Sequence, residues 1–329
     1  MKITMAHGSG GKETSDLIAS IFARHFNNPI LAKMEDSAVV PGAARIAMTT
    51  DSFVVTPVFF PGGDIGKIAV CGTVNDLAMS GSTPKYLTCG FILEEGAEFE
   101  TLERIVSSMA KAAKEANVLI VGGDTKVIEG SGGIYINTAG VGFMDESGFA
   151  VSSSLCAEGD VVILSGTLGD HHATILSARM NIQNEIQSDC APLHVMAAAL
   201  AKSGLAIKSM RDVTRGGLAT VLHEFAVASK ACIQIDEKEI PVNPQVLGLT
   251  GILGLDPLYM ANEGKMVTVV AKKDAKKALE LIRESPYGAH AAIIGSVIPG
   301  ERGTLLLHTS TGGTRTLTEL YGEGLPRIC

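Results

Sequence analysis

The sequence predicts a mixed α/β fold arranged as two α/β domains, and three observations support this prediction. Of the 329 residues, 46% are hydrophobic and 19% are charged, a composition that supplies a sizeable core and disfavours global disorder. Apolar runs typical of strands alternate with helical periodicities in both halves. A polar segment containing serine and glycine, at 145–160, separates the halves. We therefore expect one domain over 1–150, a second over 151–319 and a flexible tail over 320–329.

The elements of the first half follow from apolar spacing. In chain order we predict a helix over 12–26, a strand over 45–53 that ends near Asp51, a mostly buried helix over 64–81, a helix with a charged outer face over 98–118, and strands over 118–125 and 133–143. Strands and helices are thus mixed within one unit.

The second half shows the same mixture of patterns. In chain order we predict a strand over 160–166, helices over 171–180, 192–204 and 217–230, a strand over 265–271, a helix over 273–285, and strands over 291–297 and 303–309. The tail shows neither the helical nor the strand period.

Charge and hydropathy exclude several classes of function. The chain has 27 Lys plus Arg against 35 Asp plus Glu, a net charge of −8, which disfavours nucleic acid or an anionic membrane as a partner. No apolar run approaches the roughly 20 residues that span a bilayer. The N-terminal segment lacks the apolar core and cleavage site of a signal peptide. We therefore expect a cytoplasmic protein without nucleic-acid or membrane partners.

A glycine-rich segment, HGSGGK, stands just ahead of the first predicted helix. Glycines let backbone N–H groups approach an anion, and a helix N-terminus adds partial positive charge. The segment is not a Walker A loop, because its first glycine would fall at Ala6 and its hydroxyl residue at Glu13. Phosphate binding and a plain turn both remain open. The candidate phosphate ligands are Gly8, Ser9, Gly10, Gly11 and Lys12.

Several aspartates lie in apolar or glycine-containing surroundings. They are Asp36, Asp51, Asp76 and Asp124. A buried carboxylate without a partner is costly, and a hard cation such as Mg²⁺, which prefers oxygen ligands, stabilises several at once. Helix caps and turns are the alternative for any one of them. Asp76 interrupts an apolar helix beside Asn75, and there a site is the better interpretation.

Three motifs of the second half carry charged side chains. RDVTRGG brings Asp212 between two arginines at a helix that starts with glycine, which suits phosphate or carboxylate, although a capped helix is the alternative. ANEGK places Glu263 in a tight turn before a strand. GTLGDHHA predicts Asp170 as a helix N-cap with exposed histidines at 171 and 172.

The six cysteines fall into two groups. Five lie in or near apolar or helix-like stretches without metal-ligand spacing, and we predict buried, reduced thiols. Cys329 ends the chain in LYGEGLPRIC, where nothing follows to bury it. Ten residues extend by about 33 Å, so the tail is able to carry its thiol to a site on this chain or a partner, although most termini are simply frayed.

These motifs together resemble a known family. The segments AHGSGGK, TTDSF, FFPGGDIGK, CGTVNDLAMSG, CGFILEEG, GGDTKV, INTAG, SGTLGDH, RDVTRGG, ANEGK and terminal PRIC follow one another across nearly the whole chain. Their order closely resembles the HypE family of hydrogenase maturation factors, within the PurM-like ATP-binding superfamily. The sequence departs from the family pattern at His172, where glycine is expected. The family pattern therefore does not predict the backbone geometry at that helix start.

The resemblance implies a fold and an activity. The expected fold is PurM-like, with the N-terminal ATP-binding domain pairing with its copy around a β-barrel to form a homodimer, and with ATP and Mg²⁺ near the dimer interface. A HypF-type carbamoyltransferase would load a carbamoyl group onto Cys329, and this chain would dehydrate the thiocarbamate to a thiocyanate with ATP. The cyano group would then pass to iron held by a HypC–HypD complex, for the [NiFe]-hydrogenase centre.

The resemblance also implies roles for individual residues. Lys126 and Glu263 would handle deprotonation of the carboxamide. Mg²⁺ would be held by Asp51, Asp76 and Asp124. Nucleotide ligands would come from this same set and from Gly8, Ser9, Gly10, Gly11, Lys12, Asp36, Asn75 and Asp212. Two alternatives remain: another PurM-like enzyme, such as a selenophosphate or aminoimidazole ribotide synthetase, and a non-catalytic carrier of the cyano group. Neither of those two enzymes would need a terminal thiol.

Overall fold

A computed structural model describes residues 1–35, 37–145 and 149–321 of the chain. Two residues with predicted roles, Asp36 and Cys329, lie outside these ranges. Within the described residues, none of the helices combines the length and the apolar composition needed to traverse a bilayer.

The N-terminal half builds one four-stranded sheet with helices on one face. Its elements are α1 (Lys12–Leu17), β1 (Ile46–Phe53), β2 (Phe59–Phe60), β3 (Gly63–Asp64), α2 (Ile65–Met79), β4 (Thr83–Glu94), α3 (Phe99–Glu115), β5 (Leu119–Ile128) and β6 (Ile134–Phe143). The strand order is β1-β6-β4-β5, with β4 and β5 parallel and the other neighbours antiparallel. Strands β2 and β3 form a separate small hairpin.

Helix α2 is the central element of this half. Asp64 caps its N-terminus by accepting hydrogen bonds from the backbone N–H groups of Gly66 and Lys67 at 2.8 and 3.0 Å. Nearly every residue of α2 is buried, because the helix packs on the sheet, on α3 and on the C-terminal half. A helix that is apolar on all sides is typical of such a buried position.

The other face of the sheet is exposed and partly apolar. Ile46, Met48, Ile92 and Ile128 are each 42–70% exposed on it. Met48 is paired with Val141 and Ile92 with Tyr135, so the exposed apolar side chains lie towards two opposite ends of this face.

The C-terminal half builds a seven-stranded sheet. Its elements are β7 (Val161–Leu164), α4 (Asp170–Met180), α5 (His194–Lys202), β8 (Ile207–Asp212), α6 (Gly217–Ser229), β9 (Cys232–Asp236), α7 (Pro244–Leu253), β10 (Met266–Val270), α8 (Ala275–Glu284), β11 (Ala292–Ile298), β12 (Thr304–His308) and β13 (Thr314–Leu317). The strand order is β13-β12-β9-β11-β7-β10-β8. This architecture confirms the predicted mixed α/β class.

Most predicted elements are confirmed, and the differences have local causes. The helix predicted over 12–26 changes to a π-helical segment, Ile18–Ala23, after α1. Strand β5, which contains Asp124, continues to Ile128, three residues beyond the predicted end at 125. Strands β4, β8, β9 and β13 and helix α7 were not predicted from the sequence. The cysteines of the described residues are buried and free of disulfides, as predicted.

The prediction of exposed histidines at the start of α4 is wrong. His171 and His172 are 0% and 2% exposed, because α4 packs against both β2 and α7. The N-cap is Gly169 at φ +83°, and Asp170 is the first helical residue. His172, where the resemblance expects glycine, lies within the helix, so it leaves the helical backbone intact. Burial and the neighbouring His171 lower the pKa of His172 to about 4.

Candidate active site

Two carboxylates come together where α2 crosses β1. The Thr49 hydroxyl donates a 2.8 Å hydrogen bond to Asp76 Oδ2. Asp51 lies on the same face of β1, and its Oδ2 would be 3.6 Å from a Cβ added at Gly72, one helical turn before Asp76. Burial raises the pKa of both carboxyl groups, and the charge of Asp51 raises that of Asp76 further. Asp51 thus lies within van der Waals reach of the turn of α2 that precedes Asp76.

Two further carboxyl groups reach this place from the C-terminal half. Asp212 ends β8 and is 8% exposed, and Glu263 lies in the turn before β10 and is 4% exposed. Burial, followed by the charge of Asp76, raises the pKa of Asp212 to about 7. Burial also raises the pKa of Glu263 well above the usual range, and both Asp212 and Asp51 add to the effect. The predicted residues Asp51, Asp76, Asp212 and Glu263 therefore form one group, the acidic cluster, between the two halves.

The acidic cluster is suited to a cation that also binds phosphate. Among the described residues, no three His, Cys, Asp or Glu side chains gather tightly enough to form a metal site by themselves. Mg²⁺ is commonly held by one or two carboxylates together with substrate phosphates and water. Asp51 and Asp76, both desolvated and facing one another across the contact of α2 with β1, fit that requirement.

The glycine-rich segment lies against β5. A Cβ at Gly8 would come within 2.6 Å of the backbone nitrogen of Val127, so this contact requires glycine. Gly10 N–H donates to the Thr14 hydroxyl at 3.0 Å, and Lys12 pairs with Asp16 at 2.7 Å on the surface. A cavity of about 450 Å³ opens beside the segment, between α1 and β5, and its wall includes Thr14 and Asp124.

Asp124 and Lys126 form a second, separate group. Lys126 Nζ lies 2.8 Å from Asp124 Oδ2, and this exposed pairing lowers the pKa of Asp124. Asp124 is aligned through β4 and β6 with Ser52, not with Asp51. Because successive residues of a strand point to opposite faces, Asp124 lies on the exposed face and Asp51 on the helix-covered face. Within one chain, the structure therefore separates Asp124 from the acidic cluster.

Asn75 occupies a structural position beside the acidic cluster. Its Nδ2 donates to the Ala191 carbonyl at 3.1 Å, and its Oδ1 accepts from the Leu193 N–H at 2.7 Å. Both ends of the amide thus join α2 to the segment that precedes α5. This use of the side chain explains a buried asparagine next to Asp76, without a nucleotide.

Two charged residues next to Glu263 were missed from the sequence. Asp189 and Lys265 form an ion pair at 3.1 Å, with side chains 3% and 9% exposed. Burial opposes ionisation of Asp189, but Lys265, His171 and the backbone N–H of Glu263 together outweigh it and hold the pKa of Asp189 below its usual value. The only sequence signal is a lysine directly after ANEG. Asp189 lies in the non-periodic segment QSDCAP, which reads as a turn.

The described chain ends close to α6. Leu320 N–H donates to the Thr220 hydroxyl at 3.1 Å, and the Tyr259 hydroxyl donates to the Thr318 carbonyl at 3.1 Å. Two positions from the C-terminal half therefore fix the chain just before the segment that leads to Cys329.

Comparisons with known proteins identify the family. Residues 34–144 match the family described as AIR synthase related protein, N-terminal domain, and residues 157–308 match the corresponding C-terminal domain. Carbamoyl dehydratase HypE of Rhodobacter capsulatus is 48% identical over 337 residues, which cover 100% of this chain and 98% of that protein. The chain belongs to the HypE family.

Solved structures of HypE agree with this assignment. A hydrogenase maturation protein HypE in complex with ATP matches with a TM-score of 0.94 and 45% identity, over 99% of both chains. HypE from a HypE–HypF complex matches with a TM-score of 0.80 and 47% identity, over 92% of this chain and 99% of that one. The resemblance to HypE and the PurM-like fold predicted from the ordered motifs are thereby confirmed.

Proposed function

We propose that this chain is a carbamoyl dehydratase of hydrogenase maturation, which uses ATP to convert an S-carboxamide on its own Cys329 into an S-cyanate. The observation that carries the proposal is the full-length match to proteins named carbamoyl dehydratase HypE. ATP as the second substrate is supported by the ATP complex of the similar HypE.

The reaction removes one water from a primary thiocarbamate. The carboxamide oxygen attacks the γ-phosphorus of ATP, and ADP leaves. The phosphorylated oxygen then departs as phosphate while the nitrogen loses its protons and forms the nitrile. Phosphoryl transfer depends mainly on positioning and on charge neutralisation, and the proton removal needs a base near the carboxamide.

The acidic cluster supports an assignment of roles. Glu263 would be the base, because its carboxyl group is desolvated and hence basic for a glutamate. Asp51 and Asp76 would hold Mg²⁺, which when bound would neutralise charge on the triphosphate. Asp212 would hold nucleotide or water beside them.

The second group of residues would come from another copy of the chain. Asp124 and Lys126 lie on the exposed face of the N-terminal sheet, with Ile46 and Met48, and the segment Gly8–Lys12 lies against the edge strand β5 at Val127. Pairing of two such faces in a homodimer would bury this apolar surface. It would also bring Asp124 and Lys126 of one chain towards the acidic cluster of the other, where Lys126 would contact the carboxamide.

The remaining assignments stay predictions of the resemblance. A HypF-type carbamoyltransferase is the proposed donor, supported by the HypE–HypF complex of a similar chain, and a HypC–HypD complex is the proposed cyano acceptor. We also propose a domain division near residue 150 and a cytoplasmic location. Asp36 and Asn75 remain proposed nucleotide neighbours, although the amide of Asn75 is engaged by the chain.

The decisive experiment uses the carbamoylated chain, freed of the transferase. On addition of ATP and Mg²⁺, its last peptide is expected to lose the mass of one water while one equivalent of phosphate is released. A chain that only carries the cyano group would release no phosphate, and its mass would not change.

A further inference from the structure

Asp189 contacts three consecutive residues around Glu263. Its Oδ1 accepts from the Glu263 N–H at 3.2 Å, and its Oδ2 accepts from the Gly264 N–H at 3.1 Å and from Lys265 Nζ at 3.1 Å. An ionised carboxylate has the several acceptor sites that this arrangement requires. Asp189 thus closes the turn that carries Glu263.

The backbone next to Asp189 holds the same turn from its other side. Ala191 N–H donates to the Glu263 carbonyl at 3.3 Å, so both backbone polar groups of Glu263 are bonded to the segment 189–191. A Cβ at Gly264 would lie 1.9 Å from the Asp189 carbonyl oxygen, which leaves no room for any side chain there. The turn therefore follows the position of Asp189 closely.

Segment 189–191 is itself fixed to the helix that bears Asp76. The Ala191 carbonyl accepts from Asn75 Nδ2 at 3.1 Å, and Asn75 precedes Asp76 on α2. A continuous path of hydrogen bonds thus runs from α2 through segment 189–191 to Glu263. The path links the Glu263 turn to one of the two proposed Mg²⁺ ligands.

We propose that Asp189 is a positioning residue for the dehydration, which holds Glu263 at a fixed place relative to Asp76. The inference rests on the proposed role of Glu263 as the base. A buried ion pair that served stability alone would not need to contact the backbone of a catalytic residue, and stability is in any case a weak explanation for such a pair.

The variant Asp189→Asn tests the proposal, because it keeps the shape of the side chain but turns an N–H₂ towards two donors. We expect kcat to fall by about 10- to 100-fold, as for a small misplacement of a catalytic group, with the affinity for ATP unchanged. The readout is single-turnover loss of water from the purified carbamoylated chain, with thermal unfolding measured in parallel. Asp160→Asn is the matched control, since Asp160 is also buried and accepts from the Ala157 N–H at 2.8 Å. It is expected to lower the melting temperature and leave kcat unchanged.

A double-mutant cycle separates this inference from the proposed function. If Asp189 acts through Glu263, then Asp189→Asn combined with Glu263→Gln is no slower than Glu263→Gln alone. Wild-type turnover by Glu263→Gln would refute the base assignment itself. An inactive Glu263→Gln beside a fully active Asp189→Asn would overturn only the role of Asp189.

A second variant covers failure of Asp189→Asn to fold. Replacing both members of the pair, as Asp189→Leu with Lys265→Met, removes both buried charges together and so leaves no unpaired ammonium in the interior. The two backbone N–H groups still lose their acceptor, so the same fall in kcat is expected. Unchanged turnover in this folded double variant would overturn the proposal.

Discussion

The Thr49 hydroxyl donates a 2.8 Å hydrogen bond to Asp76, and this bond joins strand β1 to the buried helix α2. We therefore expect substitution of Asp76 to lower turnover more than substitution of Thr49. Asp76→Asn, which removes a proposed Mg²⁺ ligand, is expected to lower kcat by about 100-fold or more. Thr49→Val removes only the bond, and its expected loss is about tenfold, since a hydrogen bond to a charged group contributes about 1.5 kcal/mol. Mg²⁺ titration of turnover checks both variants. Equal losses would argue that Asp76 has no role beyond its contact with Thr49.

Cys329 is predicted to be needed for product formation and not for nucleotide binding. Cys329→Ala is expected to bind ATP normally, because the acidic cluster and the glycine-rich segment remain intact. It should form no adduct with the transferase, carbamoyl phosphate and ATP, as measured by intact mass and peptide mapping. A cyano group found on the Ala variant would mean that a different residue carries the substrate.

The pH dependence of turnover is expected to follow the ionisation of Glu263. Burial and the neighbouring Cys190, Asp189, Asp212 and Asp51 all raise its pKa, so the ionised base is lost at higher pH than for an ordinary glutamate. The rate constant for water loss is therefore expected to decrease as pH falls, with a midpoint well above the usual carboxyl range. Glu263→Gln should lose this dependence together with most of its activity. An acid limb that persists in the Gln variant would assign it to a different group.

Stability should depend on pH through Asp212. Its pKa is about 7 in the folded protein, against an ordinary value of 3.8, so the folded state keeps a proton that the unfolded state has released between these values. The free energy of unfolding therefore falls as pH rises from about 4 to 7. Each unit of pKa corresponds to about 1.4 kcal/mol. Asp212→Asn is expected to raise the melting temperature of the metal-free chain at pH 8 more than at pH 5. An equal change at both pH values would contradict this electrostatic explanation.

Subunit mixing should test whether the two groups of residues meet between chains. Asp124→Asn and Asp76→Asn are each expected to be nearly inactive as homodimers. A refolded equal mixture would contain heterodimers with one intact site, and should recover about one quarter of wild-type activity if the dimer is symmetric. Recovery that stays at the level of the two parents would place both groups in a single chain. The Asp76→Asn protein mixed with itself serves as the control.

Part of the candidate site could be predicted from the sequence, because the residues in that part stand out from their immediate neighbours in the chain. Asp76 interrupts an apolar helix, Asp212 lies between two arginines ahead of a helix that starts with glycine, and Glu263 precedes a strand. The structure brings all three together. The exposed histidines were a wrong prediction, because α4 is covered on every side and its short pattern shows no dominant face. Asp189 was missed for a different reason. Its importance comes from contacts with Glu263, Gly264 and Lys265, which lie 74 to 76 positions further along the chain. The local patterns used to interpret the sequence cannot predict contacts over such a separation.

The hydrogen bond between Leu320 and Thr220 gives the tail a fixed starting point, from which the reach of the terminal thiol follows. Cys329 lies nine positions after Leu320, so chain length limits the sulfur to a sphere of about 30 Å radius around Leu320. Any acceptor of the finished cyano group must enter this sphere. Adding or removing residues between Leu320 and Cys329 would change which acceptors the protein is able to serve, without altering any residue of the acidic cluster.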